Sequence, residues 1–61
     1  MISAMKVIHR NGIYKDLRNR SYLVKDLGVN CETLKKYVIY QRLNKNELLI
    51  KEYDDFLRNF S

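Results

Sequence analysis

Sixty-one residues with twelve Lys/Arg against seven Asp/Glu carry a formal charge of +5, with one Cys, one His, no Trp and no Pro. A chain this short buries only about 60% of its unfolded surface, and its core supplies about 3–5 kcal/mol of net stability, too little to hold a strained catalytic cleft. Cys31 has no second cysteine for an internal disulfide and no Cys/His cluster offers zinc ligands, so the composition points to a binding module, not an enzyme, with no catalytic, cofactor or metal site.

In chain order, Asn11-Gly12 is the first signal. It lies between two β-rich runs, and both residues tolerate the positive φ that a type I′ turn demands, so a hairpin is predicted over 5–17. A two-residue loop would pair Arg10 with Ile13, Ile8 with Lys15 and Lys6 with Leu17 on one face, and His9 with Tyr14 and Val7 with Asp16 on the other. Both faces are mixed, and an isolated hairpin is marginal in water, so a further strand or helix must pack against it.

After Leu17 the apolar period lengthens. Asn19 is placed to cap a helix over about 19–27, with Leu23, Val24 and Leu27 on one face and Gly28 closing it. Asn30 then caps a second helix over about 31–41, with Leu34, Tyr37 and Val38 inward. The tail, 47–60, has two readings. As a helix capped by Asn46, it aligns Leu49, Tyr53, Phe56, Leu57 and Phe60; as a strand over 47–53 followed by a helical segment over 54–60, it gives the hairpin its missing partner.

Residues 23–37 thus fit a helix-turn-helix, whose second helix enters the major groove of DNA. With Leu34 and Tyr37 inward, Cys31, Glu32, Thr33, Lys35, Lys36 and Tyr40 face outward as groove contacts. Glu32 and Thr33 suit base edges, and Lys35 and Lys36 suit guanine or phosphate. Asn30 and the backbone N–H groups beside it suit a phosphate, as do Arg18 and Arg20 before the first helix and Arg42 and Lys45 beyond the second. Charge agrees: residues 1–45 hold ten Lys/Arg against Asp16, Asp26 and Glu32, a net of +7, whereas 46–61 net −2.

Lys6-Val7-Ile8, Asn11-Gly12, Leu17, Asn19, Leu27-Gly28-Val29, Thr33-Leu34 and Tyr37 fall without gaps on a known template. Over about residues 6–53 the chain resembles the small helix-turn-helix modules repeated in intron-encoded homing endonucleases and found as free-standing phage proteins. Leu17 stands where those modules carry an aromatic, Asn19 where they carry Ser, and Leu23-Val24 where they carry Ala-Ala. The resemblance implies an α+β fold, with an N-terminal hairpin, the helix-turn-helix and a C-terminal strand over 48–53 completing a small sheet. It also implies binding to double-stranded DNA; no segment resembles the nuclease catalytic parts.

The expected function is therefore a small phage or mobile-element regulator of transcription that binds duplex DNA. The A/T-rich codons behind its 23 Asn, Lys, Ile and Tyr residues agree with a low-GC bacterial host. The rival is a phage protein-interaction module that grips a host protein. Phe56, Leu57 and Phe60 either close the domain or form a homodimer surface. Tyr37 and Tyr53 are expected in the core, with Tyr14, Tyr22 and Tyr40 half-buried, although five tyrosines with a basic groove also fit single-strand stacking. His9 is expected exposed beside Tyr14, and Cys31 is a small residue near the groove. No run of about 18 apolar residues crosses a membrane and the N-terminus is too short for a signal peptide, so a cytoplasmic location is expected.

Overall fold

The computed structural model describes residues 7–61. Its elements are β1 (Ile13–Lys15), β2 (Ser21–Val29), β3 (Lys36–Arg42), β4 (Leu49–Glu52) and α1 (Tyr53–Asn59). The strands form one antiparallel meander in the order β1-β2-β3-β4, and α1 lays Phe56 against one face of it. The helix-turn-helix and the resemblance built on it do not hold: both predicted helices, 19–27 and 31–41, are largely strand.

Side-chain chemistry explains the difference. Tyr37-Val38-Ile39-Tyr40 is an unbroken β-branched and aromatic run, which favours a pleated, half-buried surface over a helix. In β2 the buried positions are Tyr22 and Val24, with Leu27 packed against the core behind them. A bulge at Lys25, between the Val24–Tyr40 and Asp26–Ile39 pairs, adds one residue to the alternation. The inward set therefore reads 22, 24, 27, and the step of three imitates a helical spacing. Gly28 ends no helix: its φ is not positive, and it sits inside β2 opposite Tyr37.

The turns reuse the residues expected to cap helices. Asn30 Oδ1 accepts from the N–H groups of Glu32 (2.8 Å) and Thr33 (3.1 Å), as an N-cap does. The turn does not propagate, because Leu34 adopts φ 63° and the Asn30 N–H donates to the Lys35 carbonyl, closing the β2–β3 hairpin. Asn19, at φ 65°, fills the left-handed position of a three-residue β1–β2 turn over 17–19, a conformation Asn tolerates well.

The first hairpin is also displaced. Met5 and Lys6 lie outside the described residues, and 7–10 form no strand. Asn11 alone has positive φ, 67°, at the third position of a turn closed by Gly12 N–H to the His9 carbonyl, as a type II turn requires. Ile13 therefore starts a strand that pairs with Leu23 of β2. Gly12 is needed for space, since a Cβ there would lie 2.8 Å from Tyr14 Cε1. That ring folds back so that its hydroxyl accepts from the His9 N–H at 2.8 Å.

Of the two tail readings, a strand followed by a helical segment is the one adopted. Phe56 and Phe60 are buried, taking the closing role. They stack at 4.1 Å, and Tyr40 meets both edge-on at 5.1 and 5.4 Å. Tyr22 and Tyr14 complete the aromatic cluster. The expected tyrosine order is inverted: Tyr22 and Tyr40 are core, whereas Tyr37 and Tyr53 are only half-buried. Each such aromatic pair adds about 0.5–1.5 kcal/mol beyond area burial, a large share of what so small a domain needs.

Candidate nucleic-acid interface

The meander sorts the cations by the end of the sheet at which their turns lie. Arg18 and Arg20 belong to the β1–β2 connection, while Arg42 ends β3 and Lys45 lies in the segment joining β3 to β4. These two segments lie at one end of the sheet: Tyr22 pairs with Arg42, and the Leu43 N–H donates to the Ser21 carbonyl. Arg20 and Arg42 line the same open cleft of about 270 Å³. Lys45 is held there by two bonds: its N–H donates to the Arg42 carbonyl, and the Lys45 carbonyl accepts from Gln41 Nε2 at 3.0 Å. Four of the predicted contacts are thus brought together.

Asp16 organises this end. One carboxylate oxygen accepts from the N–H groups of Arg18 and Arg20, both at 2.9 Å; the other accepts from Arg20 Nε at 2.8 Å and the Tyr22 hydroxyl at 3.0 Å. Desolvation acts to raise its pKa, but the bonds from Arg20, Tyr22 and Arg18 outweigh it and hold the carboxyl at about 2. The carboxylate is therefore charged at neutral pH and committed to the turn. Among the described residues, Arg18, Arg42 and Lys45 make no ion pair. Lys51, placed in the acidic tail by the sequence, lines a second cleft of about 310 Å³ together with Arg18 and Arg20. Strand alternation was the signal for it, because Lys51 shares a face with the core-packed Leu49.

The other predicted contacts lie elsewhere. Asn30, Cys31, Glu32, Thr33 and Lys35 form the β2–β3 turn at the opposite end, and Lys36 starts β3 there; no helix presents them to a groove. Lys35 pairs with Glu52 at 3.8 Å, and Lys36 lies over the Tyr53 ring at 5.6 Å. Tyr40 is buried in the core and not presented outward, and desolvation there, with Tyr22 beside it, pushes its pKa up.

Among the described residues, no three His, Cys, Asp or Glu side chains gather to hold a metal ion, and no helix is long and apolar enough to cross a membrane. The chain matches no family model, no curated protein and no solved structure.

Proposed function

We propose that the protein binds the phosphate backbone of duplex DNA through the turn end bearing Arg18, Arg20, Arg42 and Lys45. The observation that carries this reading is that two connections bring Arg18, Arg20, Arg42 and Lys45 to one end of the sheet, where Asp16, the acid beside Arg18 and Arg20, is already committed to the turn. Elsewhere Arg10 pairs with Asp26, Lys35 with Glu52 and Arg58 with Asp55, so those cations are partly neutralised; at this end only Arg20 is paired, with Asp16, and Arg18, Arg42 and Lys45 make no ion pair among the described residues. A duplex is favoured over a single strand because the aromatic rings near this end, Tyr22 and Tyr40, are buried, leaving no platform on which bases stack. Without a recognition helix, affinity rests on phosphate neutralisation and not on base reading.

The test is a fluorescence-anisotropy titration of a labelled duplex over a range of salt. Each phosphate neutralised contributes about −0.9 to the log–log slope, so four cations give a slope of about −3 to −4. An Arg18→Ala/Arg42→Ala/Lys45→Ala variant is expected to flatten that slope by about 2 to 3, whereas Lys35→Ala/Lys36→Ala leaves it nearly unchanged. Absence of binding at low salt overturns the reading.

A further inference from the structure

We propose that the open edge of the sheet joins the same edge of a second copy of this chain, β4 against β4 about a two-fold axis, giving a continuous eight-stranded sheet. The two edges of the meander differ. The edge at β1 is covered by the C-terminus: the Lys15 N–H donates to the Ser61 carbonyl and the Ser61 N–H returns a bond to the Lys15 carbonyl, both at 2.8 Å, beside an Asp16–Phe60 bridge. Beyond β4, no backbone partner is present among the described residues. Such an edge is a template for another strand.

The sequence of this edge is complementary to itself. A two-fold axis makes the pairing antiparallel and isologous. Centred on Leu49, and with β4 extended back over the two residues that precede it, the pairing sets Glu47 opposite Lys51 of the second copy, Leu48 opposite its Ile50, and Leu49 opposite its Leu49. Each pair then combines opposite charges or two apolar chains, the combinations that stabilise neighbouring strands. Centring on Ile50 instead would set Leu48 against Glu52 and Leu49 against Lys51, losing both gains. Among the described residues Glu47 and Lys51 make no ion pair, in contrast to Glu52, which holds Lys35. Leu48 is 59% exposed and Ile50 67% exposed. Ile50 already pairs with Ile39 of β3, so adding Leu48 of the second copy extends one apolar row across the joint.

Sedimentation equilibrium of the full chain, from micromolar to millimolar concentration, tests this. The unaltered protein is expected to dimerise. Lys51→Glu alone sets Glu against Glu at both ends of the joint, and Glu47→Lys alone sets Lys against Lys, so each is expected to be monomeric. An equimolar mixture of the two is expected to form a one-to-one dimer, and the double swap in one chain is expected to recover the homodimer. Circular dichroism of each variant checks that the sheet is retained; recovery in the mixture excludes misfolding as the cause of dissociation. A monomer at every concentration overturns the proposal. So does a dimer indifferent to both single reversals, which would assign association to another surface.

Discussion

Asp16 shows how one side chain sets both the shape and the charge of the candidate interface. Its carboxylate fixes the backbone of Arg18 and Arg20 and the guanidinium of Arg20, which holds the β1–β2 turn at the end of the sheet. Because its folded pKa is about 2, below the ordinary 3.8, folding is favoured by the ionised form. That contribution is complete above about pH 4 and is lost as pH falls through about 2. Urea unfolding of the unaltered chain and of Asp16→Asn should therefore show a gap in midpoint at pH 6 that closes between about pH 4 and pH 2. A gap independent of pH would mean that the carboxylate's charge does not stabilise the turn.

At the scale of elements, the tail was narrowed to two readings, one of which the fold adopts, and the middle of the chain was misread. In the tail the short apolar run Leu48-Leu49-Ile50 leads into β4, and the chain turns helical at Tyr53, where the spacing of Tyr53, Phe56, Leu57 and Phe60 takes over. In the middle, Asn30 makes the local bonds of a helix cap yet serves a hairpin, because cap and turn use the same Asn chemistry until Leu34 reverses the chain. The bulge at Lys25 then hides the period of β2. The run Tyr37-Val38-Ile39-Tyr40 carried the opposing signal, and its β-branched and aromatic content was the better guide. Gly28 separates the two folds. Inside a strand, where an added Cβ meets nothing within 4 Å, Gly28→Ala should stabilise by about 0.5–1 kcal/mol, read as a higher melting temperature. At the left-handed C-terminus of a helix the same change would destabilise.

For the whole molecule, the charge of +5 resolves into two ends. Of the candidate site, Arg18, Arg20, Arg42 and Lys45 were legible as cations flanking an ordered corner, and they remain neighbours. Their grouping was not legible, because it depends on the β1–β2 and β3–β4 turns meeting across strands far apart in sequence. Lys35 and Lys36, adjacent in sequence and the most conspicuous pair, lie at the opposite end and are engaged by Glu52 and Tyr53. In the proposed binding mode, phosphate meets the first end and not the second. Backbone-amide shift mapping by heteronuclear NMR, with a duplex of about one helical turn, separates the two ends. The shifts are predicted at residues 17–21 and 42–45, with 30–36 unmoved; shifts confined to 30–36 would place phosphate at the opposite end and overturn the proposed interface.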